Sequence, residues 1–221
     1  MQIVENKALL LKVKDPNRIT TVIPQSKQLD SGEVLVKWGL EEAQVLKNLK
    51  VKNVPSPILA KYDWPGLRKP FSHQKITSAF LTLHRRAFCF NEQGTGKTAS
   101  VIWAADYLMK QGYIRRVLVL CPLSIMQASW QNDLFSFAMH RTCAIAHSHS
   151  REKRIKAVKS GADFVICNFD GLEIIKDAVM EAHFDLIVVD EANAYKTVST
   201  KRWKTLNNII APNTWVWMLT G

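Results

Sequence analysis

Two short stretches carry the residues whose types and spacing could do chemistry. In Phe88-Cys-Phe-Asn-Glu-Gln-Gly-Thr-Gly-Lys-Thr-Ala-Ser100, an apolar run ends in a glycine-bearing turn and a helix-forming segment begins near Lys97. Gly94 and Gly96, on either side of Thr95, permit backbone conformations that turn successive N–H groups inward. The following helix offers its unpaired N–H groups and positive dipole end to the same point. Such a loop holds phosphate, with Lys97 reaching β/γ-phosphates and the Thr98 hydroxyl holding Mg2+. The general Gly-x4-Gly-Lys-Ser/Thr pattern asks for glycine where this chain has Asn91. Asparagine also enters left-handed conformations, so the loop need not fail for lack of that glycine.

The second stretch, Leu186-Ile-Val-Val-Asp-Glu-Ala-Asn193, is an apolar strand ending in adjacent carboxylates. Asp190 at the strand end could hold Mg2+, usually through water, and Glu191 could polarise an attacking water. In-line phosphate hydrolysis needs both functions. The pair after a strand is weak evidence alone and strong evidence behind a phosphate loop in one domain.

From Ala87 onward, strand-like and helix-like segments alternate. Strands are expected at 87–90, 116–121, 142–146, 163–167, 185–189 and 215–219, with helices near 97–110, 125–137, 151–160, 170–182 and 199–210. Continuous β-branched runs such as Asp185-Leu-Ile-Val-Val189 suit a parallel sheet covered on both faces. The fold class is therefore α/β, a doubly wound, mainly parallel sheet with helices on both faces. Ligands gather at the carboxyl ends of such strands, where both motifs fall. Ahead of this domain, Ser72 to His84 has helical periodicity with Ser72 as the expected N-cap. Lys52 to Pro70, with four prolines, reads as a connector without regular structure. Residues 1–62 read as a small β-rich appendage with strands near 8–14, 19–23 and 34–38 and a helix over 41–49. The domain boundary is set at 62/63.

The 221 residues, 47% of them hydrophobic, suffice for one well-buried core plus a small appendage. No apolar run is long enough to span a membrane, and the first residues lack a signal-peptide apolar region. Cysteines 89, 121, 143 and 167 form no C-x-x-C pair and read as small buried hydrophobes in a reducing cytosol. The expected location is intracellular: cytoplasmic, or nucleoid-associated if the source is prokaryotic or viral. A net charge of +11 attracts polyanions, of which nucleic acid is the commonest, although a basic soluble protein would look the same. Lysines 12, 14 and 37 of the appendage could touch a phosphate backbone. His147-Ser-His149 with Cys143 lacks a further ligand at metal-binding spacing and reads as a polar loop. The tryptophans read as core or hinge packing.

Four ordered motifs resemble the first RecA-like lobe of superfamily-two helicases and translocases, closest to the Swi/Snf-type branch. Phe90-Asn-Glu-Gln-Gly-Thr-Gly-Lys-Thr98 is similar to that branch's Ala-Asp-Glu-Met-Gly-Leu-Gly-Lys-Thr. Val119-Leu-Cys-Pro-Leu-Ser-Ile-Met-Gln-Ala-Ser-Trp130 resembles its motif Ia. Asp190-Glu-Ala-Asn-Ala-Tyr-Lys196 resembles the Asp-Glu-Ala/Gly-His box, and Trp217-Met-Leu-Thr-Gly221 the start of its motif III. The match runs from about Pro70 to the last residue.

The resemblance implies an ATP- and Mg2+-dependent hydrolase that moves on double-stranded DNA. It implies adenine reading by Gln74 and a backbone grip on DNA by Pro122, Leu123 and Ser124, where Ser124 could also simply cap the next helix. It further implies coupling of nucleotide to nucleic acid through Asn193 and Thr220. Asn193 stands where the family has histidine, and Asn91 where it has an acidic residue. The sequence stops inside the motif III resemblance, so a missing second RecA-like lobe, and little ATPase activity of this chain alone, are expected. An RNA or single-strand helicase lobe and a nucleic-acid-binding module with a decayed ATP site are the alternatives. Cys-Pro-Leu-Ser and the Tyr-Lys after the acidic box favour duplex DNA, and intact Lys97, Thr98, Asp190 and Glu191 argue against decay.

Overall fold

The computed structural model describes residues 1–221 and divides into two compact units, Met1–Asp63 with Thr82–His84, and Trp64–Leu81 with Arg85–Gly221. No helix is long and apolar enough to cross a membrane.

The first unit holds β1 (Gln2–Val4), β2 (Ala8–Leu11), α1 (Asn17–Thr20), β3 (Lys27–Gln28), β4 (Val34–Lys37), α2 (Leu40–Asn48) and α3 (Ile58–Lys61). Its strands form an antiparallel sheet in the order β1-β2-β4-β3. Leu9 and Leu11 of β2, paired with Val36 and Val34 of β4, point to one face and bury fully with Ile19, Trp38 and Leu46. This is the period-two alternation of a sheet with one covered side.

Two local expectations fail here, and one strand was not anticipated. Instead of a strand over 19–23, the chain forms the short helix α1, Asn17–Thr20, running into a turn in which Ile23 N–H donates to Ile19 O at 2.8 Å, with both isoleucines buried four residues apart. Helical spacing outweighed their β-branched preference. The connector also contains a helical turn, α3, which starts after Pro57, a residue whose fixed φ suits a helix entrance. The strand β1 lay in residues without an evident strand pattern.

The second unit continues with α4 (Ser72–Thr82), β5 (Arg86–Phe90), α5 (Lys97–Lys110) and β6 (Val117–Cys121). After β6 come a 3-10 turn over Leu123–Ile125, a π-helical turn over Met126–Gln131 and α6 (Asn132–Phe137). Then follow β7 (Cys143–Ile145), α7 (Arg151–Val158), β8 (Phe164–Asn168), α8 (Phe169–Ile174), α9 (Lys176–Ala182) and β9 (Leu186–Asp190). A 3-10 turn at Ala192–Tyr195, α10 (Lys201–Ile209) and β10 (Trp215–Thr220) complete it.

All six strands run parallel in the order β5-β10-β9-β6-β8-β7. Every residue of β6 and β9 is buried, as expected for strands covered on both faces. Trp103, Trp130 and Trp217 are fully buried, and Cys89, Cys121 and Cys167 are buried free thiols. Burial pushes the Cys143 and Cys167 thiols up to about 11 and about 12, so both stay protonated and unreactive.

The single helix expected over 170–182 is two helices. They break at Ile175, whose side chain is in the core at φ −116°, outside helical range. Ser72 is not the cap of α4 but its first residue. The capping role falls to Gln74, whose Oε1 accepts the Phe71 N–H at 2.9 Å, the returning half of a capping box.

Asp133, in the first turn of α6, is pushed up from 3.8 to about 6 by burial. The folded chain thus holds this proton up to about pH 6, while the unfolded chain releases it near 3.8. The group's contribution to stability is full below the lower value and lost as pH rises to the higher one. Asp133→Asn is therefore expected to stabilise the chain by up to about 3 kcal/mol at about pH 7.5, with the difference vanishing near pH 3. Thermal melts of both proteins across that range check it.

Candidate active site

The register of the sheet brings the expected chemistry to one edge. Phe90, the last residue of β5, pairs with Thr220 of β10, and Leu219 beside it pairs with Asp190 of β9. The loop 91–96, Thr220, and the Asp190–Glu191 pair therefore leave the sheet along the same rim. A Cβ placed on Gly221 would lie 3.0 Å from Lys97 Nζ and 3.3 Å from Asn91 O, so the end of β10 rests against the loop.

Within the loop, Gly94 and Gly96 have φ of +76° and +75°, where side chains are strained. Gly96 has a second reason to be glycine, since a Cβ there would meet Gln74 Nε2 at 2.2 Å. Asn91 is not left-handed: its amide instead donates to Thr77 Oγ1 at 2.9 Å, tying the loop to α4. The loop tolerates a non-glycine residue there because its glycines at 94 and 96 supply the positive φ.

Lys97 opens α5 and folds back, donating to the carbonyls of Asn91 at 2.8 Å and Glu92 at 3.1 Å. Gln74 donates to Thr95 O at 3.2 Å, and His73 Nε2 is 3.0 Å from the same oxygen. With Oε1 also engaged by Phe71, the Gln74 amide keeps one lone pair and one N–H to spare. Phe71, 68% exposed, stacks on His73 with centroids 5.7 Å apart.

The π-helical turn supplies contacts that sequence reasoning missed. Its Ser129 Oγ lies 3.4 Å from Thr98 Oγ1, and the next residue, Trp130, donates its indole N–H to Asp190 Oδ2 at 2.9 Å. Consecutive residues of one π turn thus touch both the loop helix and the acidic strand end. Such turns are rare in helices and recur at functional sites. The pairing spans 60 residues and has no local pattern, and by type Trp130 reads as core packing.

Asp190 is buried, with Oδ1 accepting the Glu191 N–H at 3.0 Å. Burial, chiefly, raises its pKa from the ordinary value; Trp130, the Glu191 N–H and the nearby Lys97 charge oppose the rise, and the Glu191 charge adds to it. The Lys97 ammonium and the Asp190 carboxylate therefore act on each other across the rim. Glu191 has φ +57°, a conformation that costs a side-chain-bearing residue about 1–3 kcal/mol. The Thr220 hydroxyl is buried without a hydrogen-bond partner.

Pro122, Leu123 and Ser124 follow β6 at the same edge, with Leu123 and Ser124 exposed. Ser124 lies inside the 3-10 turn, whose cap position is Pro122, so it does not cap a helix. Asn193 is exposed in the turn after Glu191. His147 is 3.4 Å from Asn168 Oδ1.

The arrangement fits a magnesium-bound polyphosphate. It has a loop with two left-handed glycines, an ammonium satisfied by loop carbonyls, a buried carboxylate beside it, and an orphan hydroxyl at the same rim. The SNF2-related domain family's profile matches residues 32–221. An uncharacterised ATP-dependent helicase, YqhH, of Bacillus subtilis is 23% identical over 195 residues, covering 79% of this chain and 33% of its own. An uncharacterised ATP-dependent helicase of Mycoplasma pneumoniae is 26% identical over 120 residues, covering 54% of this chain and 12% of its own. Among solved structures, the Sulfolobus solfataricus SWI2/SNF2 ATPase core in complex with dsDNA superposes with a TM-score of 0.64 at 23% identity, over 72% of this chain and 33% of that one. The ATPase core domain from the same organism gives 0.55 at 23% identity, over 67% of this chain and 30% of that one. The chain thus spans a third or less of the length of these relatives.

Proposed function

The chain belongs to the SNF2-related domain family, and on that premise we propose that it is the ATP-binding lobe of a DNA-dependent ATPase moving on duplex DNA. In this reading residues 63–221 form the nucleotide lobe and residues 1–62 an accessory region. The whole protein would combine it with a second RecA-like lobe and work inside the cell, where its nucleic acid lies. The observation that carries the reading is the two-residue bridge, Ser129 to Thr98 and Trp130 to Asp190, which joins the loop helix to the acidic strand end.

Each residue's proposed part follows from its chemistry. The N–H groups of Gly94, Thr95 and Gly96 cradle phosphate oxygens, and Lys97 exchanges its loop carbonyls for β/γ-phosphate oxygens. Thr98 and, through water, Asp190 would hold Mg2+, which when bound supplies charge neutralisation at the transferred phosphoryl group. Asp190 is suited to this because its two present donors fix the carboxylate's orientation, and a cation there would favour its ionised form. Glu191 accepts the proton of the attacking water. Gln74 spends its remaining lone pair and N–H on the adenine edge, and the exposed Phe71 ring offers a flat apolar face beside it. Leu123 and Ser124 with Pro122 grip a DNA strand by its backbone, which positions without reading sequence. Thr220 and Asn193 connect nucleotide state to that grip, with the unpaired Thr220 hydroxyl free to gain a partner on binding.

ATP turnover of the whole protein, measured with duplex DNA, single strands and RNA in parallel, tests the substrate. Duplex DNA is expected to stimulate most. Equal or greater stimulation by RNA or single strands would replace this reading with a single-strand helicase.

A further inference from the structure

We propose that the first unit carries a separate nucleic-acid contact, a basic cleft between the β2–α1 segment and the end of α2 that grips phosphate backbone. The proposal rests on the nucleic-acid partner named above. It concerns residues remote in sequence from the nucleotide motifs, and Lys12, Lys14 and Arg18 precede the family match, which begins at residue 32.

The cleft encloses about 410 Å³ over an apolar floor that includes Leu11 and Ile19. Five basic side chains line it, Lys12, Lys14, Arg18, Lys50 and Lys52, against one carboxylate, Asp15. All five are exposed, and none is paired with a carboxylate, unlike Lys37 of β4, which reaches Glu42 at 4.0 Å. Unpaired cations gathered on one rim repel one another, an arrangement without benefit to the isolated fold.

Lys50 makes the case stronger. Past the end of α2, Lys50 N–H donates to Lys47 O at 2.8 Å and Val51 N–H to Leu46 O at 3.0 Å, the two bonds of a Schellman cap. Lys50 therefore holds the left-handed position, at φ +61°, which glycine fills without strain. A cation thus stands at the cleft in a backbone position that favours glycine.

The ligand class follows from the donors. The cations come from two separated segments on flexible stems, and four of the five are lysines, which act as point charges rather than planar forks. They do not form a preorganised cage for one small anion. A backbone with regularly repeated phosphates can satisfy each of them in turn, releasing counterions as it does.

The test measures binding of a labelled short duplex and the matching single strand to the 221-residue chain between about 50 and 200 mM salt. Lys12→Gln/Lys14→Gln/Lys52→Gln is expected to bind at least about tenfold more weakly, with the log–log salt slope reduced by about three. Lys50→Gly should lower the slope by about one while melting no lower than the parent, because the strain is relieved. Lys7→Gln/Lys27→Gln, exposed and outside the cleft, should change the slope by less than either. An unchanged slope in the triple variant, with the parent binding normally, would overturn the cleft and leave the ATPase lobe untouched. No salt-dependent binding by the parent would overturn the cleft and the duplex partner together. Tighter binding of a labelled polyglutamate peptide than of either nucleic acid would make the cleft a protein-docking site and overturn the proposal.

Discussion

Lys97→Ala lowers the affinity of this chain for magnesium-ATP by about a hundredfold, the expected cost of losing charge-assisted bonds worth about 3 kcal/mol in total. The ammonium is held ready by two carbonyls of its own loop, Asn91 at 2.8 Å and Glu92 at 3.1 Å. Those carbonyls keep it folded over the loop, where incoming phosphate oxygens can replace them without a large rearrangement. Truncation also removes a positive charge that acts on Asp190, so the buried carboxylate loses one of the groups that favour its charged form. Titration of nucleotide with and without magnesium should therefore show the metal-dependent part of binding shrinking most. A melting temperature close to the parent's would separate this loss from unfolding, since the residue is at a helix start and only partly buried.

Glu191→Gln is expected to behave in the opposite way. Magnesium-ATP affinity should stay within about threefold of the parent, while turnover of the whole protein falls by about 10²–10⁴, the usual contribution of a positioned general base. Glutamine keeps the size of the side chain and the strained backbone at φ +57°, and removes only the proton acceptor. Glu191→Gly, by contrast, should raise thermal stability by about 1 kcal/mol through relief of the left-handed conformation and lose turnover to a similar extent. A stabilised, inactive glycine variant would identify the strain as serving the carboxylate. Single-turnover measurements separate the chemical step from nucleotide release in both variants.

How far the sequence could be read depended on whether a feature was local. The buried strands were legible because runs such as Leu186–Val189 have no polar residue to confuse their period, and they end in residues whose chemistry is recognisable. The helix over Lys97–Lys110 was legible for the same reason, being opened by glycine and carried by a long apolar pattern. At residues 19–23 β-branched composition and four-residue spacing point in different directions, and burial of Ile19 and Ile23 decides for a helical turn. Gln74 stands out in the sequence only through the family resemblance, and its packing against Gly96, its capping of α4 and its bond to Thr95 O had no sequence signal. The Ser129 and Trp130 contacts were invisible, because they need both a π turn and a strand pairing that brings distant residues together. The cleft in the first unit was partly visible as lysines 12 and 14. Arg18, Lys50 and Lys52 join them only once the chain is folded.

The central claim is that Lys97, Thr98 and Asp190 share one triphosphate and its metal. A crystal structure of the chain with magnesium and a non-hydrolysable ATP analogue measures this directly. The account predicts the terminal phosphates in the 91–96 loop within hydrogen-bond reach of Lys97 Nζ, and the metal on Thr98 Oγ1 with a water bridging to Asp190. Nucleotide bound away from that loop, or a metal on the phosphates with Asp190 still turned only toward Trp130 and Glu191 N–H, would contradict it.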